Sequence, residues 1–106
     1  MKNDISGLDL NLLKTLDALL ETHSVTRAAE RLGLTQPAVS GMLTRLREAF
    51  RDPLFVRAQR GVLPTPRAEA LAGPLKAALR EIEALLQPEA FDPASAEMTI
   101  SVAATD

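Results

Sequence analysis

Apolar residues first recur at helical spacing between positions 12 and 20. Asp9 can cap the start of a helix there, and its end is predicted near Thr22 or His23. We interpret His23 as a residue that closes this helix rather than as a metal ligand. The first seven residues are predicted to be a frayed tail. The apolar face of the helix comprises Leu12, Leu13, Leu16, Leu19 and Leu20.

Two shorter helical patterns follow with a very short connection between them. Ser24 can cap the first of these helices, and Gly33 stands where a left-handed residue ends a helix, with Leu34 expected to pack back. Thr35 can cap the next helix, and Pro37 lies in its first turn, where a missing N–H costs nothing. The apolar positions are Val25, Ala28, Ala29 and Leu32 in the first helix and Val39, Leu43, Leu46 and Phe50 in the second.

The second of these helices is predicted to expose a small, polar surface opposite its apolar stripe. Two helices joined by a three-residue connection that contains glycine predict a helix-turn-helix. In that motif the second helix enters the major groove of DNA with its N-terminus first, and small residues allow close approach. The exposed surface contains Pro37, Ser40, Gly41 and Thr44, with Gln36 at its N-terminal end and Arg45 and Arg51 at its edges.

A short hairpin is predicted directly after the helix-turn-helix. Asp52-Pro53 breaks the preceding helix, residues 54–56 form a β-prone run, and residues 58–61 predict a turn. Residues 62–63 can return as a second strand that Pro64 ends. Such a hairpin is typical of a wing that lies beside the DNA groove, and its basic residues near the tip are Arg57 and Arg60.

A long helix is predicted from Thr65-Pro66 to about Leu86, where Pro88 stops it. Pro74 inside it predicts a bend near Gly73 or a break. The helix carries more apolar surface than a protruding helix tolerates, so it either folds back on the first three helices or pairs with another chain. We expect a homodimer, with a monomeric four-helix core as the alternative. The expected dimerisation residues are Leu71, Leu75, Ala78, Leu79, Ile82, Leu85 and Leu86.

The remaining residues suggest the start of a second domain. Two prolines and three acidic residues in positions 88–97 predict a linker, and positions 98–103 alternate as a strand does. A single strand has no sheet to join, so we expect the printed sequence to belong to a longer protein. The predicted division is 1–65 for the DNA-binding domain, 66–87 for the linker helix, and 88–106 for a hinge with the first strand of an effector domain.

Composition excludes several classes of protein. The chain has 106 residues, no Cys and one His, which leaves no disulfide scaffold, thiol catalyst or cysteine-based zinc site. We expect no metal and no cofactor. No apolar run approaches the roughly 18 residues of a membrane span, and no signal peptide is visible. We therefore expect no membrane partner, and the absence of Cys is consistent with a cytoplasmic location.

The charge is distributed unevenly along the chain. The net charge is −2, but residues 24–67 hold eight arginines and three acidic residues, a net of +5. The flanking residues 1–23 and 68–106 carry −2 and −5. Arginine suits bidentate contacts with phosphate and guanine. A basic helix-turn-helix with its wing therefore favours double-stranded DNA as the partner.

The residues from Ser24 to Ser40, SVTRAAERLGLTQPAVS, resemble the DNA-binding signature of LysR-type bacterial transcriptional regulators. The run DPLFVR at 52–57 resembles the wing of that family, and PTPRA at 64–68 its entry to the linker helix. The opening LDLNLL at 8–13 and the closing FDP and AATD resemble the branch that regulates aromatic degradation and nodulation.

The resemblance implies a mainly α fold, with three helices and a hairpin forming a winged helix-turn-helix before a long linker helix that dimerises. It further implies an effector domain of periplasmic-binding-protein type, and it leaves a tetramer and an RNA polymerase contact as options for the full-length protein. Gln36, Pro37, Ser40 and Arg57 match family positions that contact DNA. Many members carry Arg where this chain has Gly41, so one contact is expected to be absent or supplied by a neighbour.

Three functions were compared. The leading hypothesis is a sequence-specific transcriptional regulator that reads an inverted repeat as a dimer. A winged helix used for protein contact is disfavoured by the +5 segment and by the absence of aromatic anchors on the second helix of the helix-turn-helix. An enzyme is disfavoured because no nucleophile, carboxylate pair or phosphate loop is recognisable. The expected DNA-binding residues are Thr35, Gln36, Pro37, Ala38, Ser40, Gly41, Thr44, Arg45, Arg57 and Arg60.

Overall fold

The computed structural model describes residues 8–87, which form four helices and a hairpin. The predicted winged helix-turn-helix with a long fourth helix is confirmed. The predictions for the first seven residues, for the linker and for the strand at 98–103 lie outside the described residues. The elements are α1 (Leu10–Thr22), α2 (Val25–Leu32), α3 (Gln36–Phe50), β1 (Phe55–Arg57), β2 (Val62–Pro64) and α4 (Pro66–Leu85).

Each of the four helices begins at the cap that the sequence predicts. The Asp9 carboxylate accepts a hydrogen bond from the Leu12 amide at 2.9 Å, and the hydroxyls of Ser24, Thr35 and Thr65 accept equivalent bonds at 3.1–3.2 Å. These bonds satisfy amides that have no partner within the helix. The ends of α1 and α2 adopt the left-handed conformation as well, at His23 and Gly33.

The core is a mainly aliphatic cluster from all four helices and the start of the wing, where Phe55 is its one aromatic member among the described residues. Leu16, Leu19, Val39 and Leu46 are fully buried, and the small Ala28 of α2 is fully buried with them. Because alanine has no long side chain, α2 can approach its neighbours closely. The predicted stripes therefore supply most of the core, and Ala18, Leu54, Phe55 and Ala68 are buried with them.

The end of α2 departs from the prediction in one respect. The Leu34 amide donates to the Ala29 carbonyl at 2.9 Å, as expected for the left-handed cap at Gly33. The Leu34 side chain nevertheless remains 38% exposed, so the expectation that it packs back is wrong. The backbone hydrogen bonds alone complete this cap.

The wing is an antiparallel pair in which Val56 faces Leu63. Its first strand begins one residue later than predicted, because Leu54 has a positive φ of 64° and is fully buried instead of extended. The Leu54 amide donates to Asp52 Oδ2 at 2.8 Å, which holds this unusual turn. The Ala58 amide donates to the Gly61 carbonyl at 3.0 Å and closes the tip of the hairpin.

Helix α4 continues without interruption through Pro74, so the alternative of a break is wrong. Pro74 and Gly73 are both exposed, which places the proline ring on the solvent side of the helix. Leu75 and Leu79 pack into the core, where α4 lies against α1. This corrects the expectation that the whole apolar stripe is available to a second chain.

The C-terminal end of α4 has a different environment. Leu85 is 83% exposed and Leu86 is 72% exposed, whereas Leu71 and Ile82 are half-buried and Ala78 is exposed. The apolar stripe is therefore divided between the protein's own core and solvent. Within residues 8–87, no helix combines the length and the apolarity required to cross a membrane.

An ion-pair cluster joins α4 to the helix-turn-helix. Lys76 of α4 pairs with Asp17 at 2.9 Å and with Glu21, both on α1, and Glu21 also pairs with Arg31 of α2. The hydrogen bond from Lys76 holds the pKa of Glu21 below its usual value, and the bonds to Glu21 and Asp17 raise the pKa of Lys76. These side chains are solvent-accessible, so the pairs contribute more to helix orientation than to stability.

Candidate nucleic-acid interface

The outer surface of α3 is exposed along its N-terminal half, as predicted. Ala38 is half-buried, and the other predicted contact residues of this helix are exposed. The exposed residues are Thr35, Gln36, Pro37, Ser40, Gly41, Thr44 and Arg45. The structure therefore brings these residues together on one accessible surface, which we call the α3 face.

Small side chains keep the α3 face smooth. A Cβ atom added at Gly41 would meet nothing within 4 Å, so the fold itself does not require glycine at this position. The Thr44 hydroxyl donates to the Ser40 carbonyl at 3.2 Å, which engages its hydrogen and leaves its oxygen available as an acceptor. A ligand can thus approach the backbone of α3 closely at this point.

The N-terminal ends of α2 and α3 are linked by their side chains. The Gln36 amide nitrogen donates to the Thr26 hydroxyl oxygen at 2.7 Å, although the two residues are ten positions apart. Sequence reasoning assigned no role to Thr26. The only available signal was its place in the first turn of α2, which the helix-turn-helix brings beside the first turn of α3.

Gly61 fixes the position of the wing against the turn between α1 and α2. Its φ is +82°, and an added Cβ would lie 2.2 Å from the His23 carbonyl oxygen. The Val62 amide donates to that same oxygen at 3.0 Å. Only glycine permits so close an approach, so Arg57 and Arg60, which are both exposed, are carried by an anchored hairpin.

Two side chains hold the segment between α3 and the wing. Arg47 donates to the Pro53 carbonyl at 2.8 Å and to the Phe55 carbonyl at 3.1 Å. Asp52 Oδ2 accepts from the Thr65 hydroxyl at 2.7 Å, in addition to the bond from the Leu54 amide. These two hydrogen bonds hold the pKa of Asp52 below its usual value.

The arginines of the basic segment divide into two groups. Arg31 pairs with Glu21, Arg47 binds backbone carbonyls, and the guanidinium of Arg67 lies 5.8 Å from the centre of the Phe50 ring. The sequence alone groups all eight arginines in one basic segment. In the structure, three of them make intramolecular contacts instead of being free to bind a partner. The remaining five are exposed and bind no other side chain among residues 8–87: Arg27, Arg45, Arg51, Arg57 and Arg60.

Acidic, histidine and cysteine side chains are not clustered in the described residues. Across the described part of the chain, no three His, Cys, Asp or Glu side chains are grouped to hold a metal ion. The α3 face and the five exposed arginines present polar and basic side chains to solvent. Such a surface suits an extended polyanion better than a small substrate.

Comparison with known proteins agrees with this geometry. The model of the family described as bacterial regulatory helix-turn-helix proteins of the lysR family matches residues 10–69. The chain is 48% identical over 104 residues to the HTH-type transcriptional activator NahR of Pseudomonas putida, covering 97% of the chain and 35% of the relative. It is 46% identical to nodulation protein D 1 of Bradyrhizobium elkanii, covering 94% and 32%. The chain therefore spans about a third of these relatives' length.

Solved structures show the same fold. The probable transcriptional regulator PA0477 of Pseudomonas aeruginosa superimposes with a TM-score of 0.69 at 45% identity, covering 72% of the chain and 26% of that protein. The DNA-binding domain of BenM, solved in complex with DNA at benA site 1, superimposes with a TM-score of 0.69 at 26% identity, covering 74% and 89%. The first of these structures is named as a probable transcriptional regulator, and the second as a complex with DNA.

Proposed function

Because the chain belongs to the LysR family of bacterial regulatory helix-turn-helix proteins, we propose that it is the sequence-specific DNA-binding part of a transcriptional regulator. The observation that carries this proposal is the α3 face, where small polar residues and Gln36 are exposed together at a helix N-terminus. Helix α3 enters the major groove of DNA, where each base pair presents a distinct pattern of hydrogen-bond donors and acceptors. No chemical step is involved, so the function is recognition and not catalysis.

The exposed arginines supply affinity, and the α3 face supplies specificity. Arg27 and Arg45 lie at either side of the helix-turn-helix and neutralise phosphates, which fixes the register of the protein on the duplex. Arg57 and Arg60 lie on the wing and reach the minor groove, where a narrow groove concentrates negative potential. The contacts of the wing depend on Gly61, since that residue sets the position of the hairpin.

We further propose that a second copy of the chain covers the exposed end of α4. A groove of about 600 Å³ lies between α1 and α4, and its apolar lining includes Leu10, Leu32, Ile82 and Leu86. Removing a leucine side chain from water is worth roughly 1.5–3 kcal/mol, so Leu85 and Leu86 favour an apolar partner. A twofold dimer presents two α3 helices and reads an inverted repeat.

In this assembly each of three segments of the chain has its own role. Residues 1–65 bind DNA, 66–87 dimerise, and 88–106 lead into an effector-binding domain that controls the regulator in response to a small molecule. The greater length of the relatives supports such a domain. A regulator of this kind acts in the bacterial cytoplasm, where DNA and RNA polymerase are present.

A selection from random duplexes tests the proposed function. The chain is expected to enrich a motif with twofold symmetry, and the spacing of its half-sites gives the geometry of the dimer. Gln36→Ala is the matched control, because it should relax the preference at one base pair in each half-site and keep the rest of the motif. Enrichment of no motif by the wild-type chain would refute the proposal.

A further inference from the structure

The hydrogen bond between Thr26 and Gln36 adds little to the stability of the fold. Both side chains are exposed, and the bond between the Gln36 amide nitrogen and the Thr26 hydroxyl oxygen is 2.7 Å long. Ordering two exposed side chains costs conformational entropy that one surface hydrogen bond barely offsets. We propose that Thr26 is a positioning residue that sets which base Gln36 recognises, an inference that rests on the proposed function.

The hydrogen-bonding groups of Gln36 determine what it can present to DNA. A side-chain amide has two N–H hydrogens and one carbonyl oxygen, and the bond to Thr26 uses one of the hydrogens. One N–H and the carbonyl oxygen remain, which complement the N7 acceptor and the N6 donor of adenine. If the amide were reversed, both hydrogens would be available, and two donors complement the N7 and O6 acceptors of guanine.

The hydroxyl of Thr26 selects between these two orientations. In the structure it accepts from Gln36, so its own hydrogen is available for another acceptor. Thr26 lies in the first turn of α2, where helix amides and the exposed Arg27 favour a DNA phosphate. Once the hydroxyl hydrogen is donated to a phosphate oxygen, Thr26 can only accept from Gln36. A backbone contact thereby fixes the orientation that reads adenine.

The experiment measures base preference with and without this hydroxyl. Thr26→Val keeps the β-branched shape and removes the hydroxyl, whereas Thr26→Ser restores it. Affinities are measured for the selected operator and for operators that carry guanine in place of adenine at the position assigned to Gln36. We expect Thr26→Val to lower the preference for adenine over guanine by about three- to tenfold, and Thr26→Ser to retain it.

A double-mutant cycle separates positioning from a direct phosphate contact. In the Gln36→Ala background, Thr26→Val should have no further effect on base preference, because the side chain that Thr26 orients is absent. Equal losses for every base at this position, additive with Gln36→Ala, would overturn the inference and leave Thr26 as a phosphate contact. Urea unfolding midpoints close to that of the wild type verify that each variant is folded. A wild-type chain that selects no sequence would refute the proposed function instead.

Discussion

Substitution of Gly61 by alanine tests how the wing is held. The new Cβ atom would lie 2.2 Å from the His23 carbonyl oxygen, a distance that real Cβ contacts do not adopt. Relief of this contact requires the wing and the α1–α2 turn to separate by about 1 Å. The hydrogen bond from the Val62 amide to the same oxygen, 3.0 Å long, would then be stretched or lost.

Gly33→Ala is a matched control for this substitution. Gly33 has a similar φ of +71°, but an added Cβ meets nothing within 4 Å. Both variants bear the cost of a left-handed alanine, about 1–2 kcal/mol, and both restrict the unfolded chain in the same way. Their difference therefore isolates the clash with His23 and the lost hydrogen bond, for which we expect an excess of about 1–2 kcal/mol in Gly61→Ala.

The assay is urea unfolding of the three proteins under identical conditions, with the free energy of unfolding taken from midpoint and slope. Gly41→Ala is a further variant, for which we expect the free energy of unfolding to increase instead of decrease. Gly41 is helical and open around its Cβ position, so alanine there should stabilise the protein by about 1 kcal/mol. Equal losses in Gly61→Ala and Gly33→Ala would show that the wing does not depend on this close approach.

Three further outcomes are expected. The two hydrogen bonds to Asp52 depress its pKa in the folded state, so its stabilising contribution is present above the unfolded pKa and is lost as pH falls through the folded pKa. The difference in unfolding free energy between wild type and Asp52→Asn should therefore be constant above about pH 5 and shrink progressively below it, and parallel pH profiles in the acidic range would contradict this. Leu86→Asp should yield monomers in sedimentation, whereas Leu34→Asp, which places the same charge at another exposed leucine outside α4, should remain dimeric; a monomeric wild type would refute the dimer. Arg57→Gln should reduce the steepness of log affinity against log salt by about 0.9, because the arginine displaces a cation from the negative potential of the groove, and Arg31→Gln, whose arginine is already paired, should leave the slope unchanged; equal slopes for the two variants would exclude Arg57 from contact with DNA.

Local signals in the sequence account for where the helices of this protein begin and for how α2 ends. Asp9, Ser24, Thr35 and Thr65 all cap the helices that they precede, and Gly33 ends α2 in the left-handed conformation. Caps and apolar periodicity could be predicted because they depend on residues within about four positions of each other. The family was recognisable for a related reason, since its signature lies in the continuous helix-turn-helix segment.

The division of α4 could not be predicted from its own sequence. Leu75, Leu79, Leu85 and Leu86 are equivalent as apolar positions, yet the first two are buried and the last two are exposed. Which part of the stripe is covered depends on how far α1 extends along α4, and on the pairing of Lys76 with acidic residues of α1.

The functional assignment of the polar residues was decided in the same way by tertiary structure. Arg31 and Arg57 are indistinguishable by residue type, but only Arg31 has an acidic partner, supplied by a different helix. The positions of Thr26 against Gln36 and of Gly61 against His23 likewise join residues 10 and 38 positions apart. A charged or polar side chain is satisfied by whichever partner the fold brings within hydrogen-bond distance, and that partner is not specified by its neighbours in the chain.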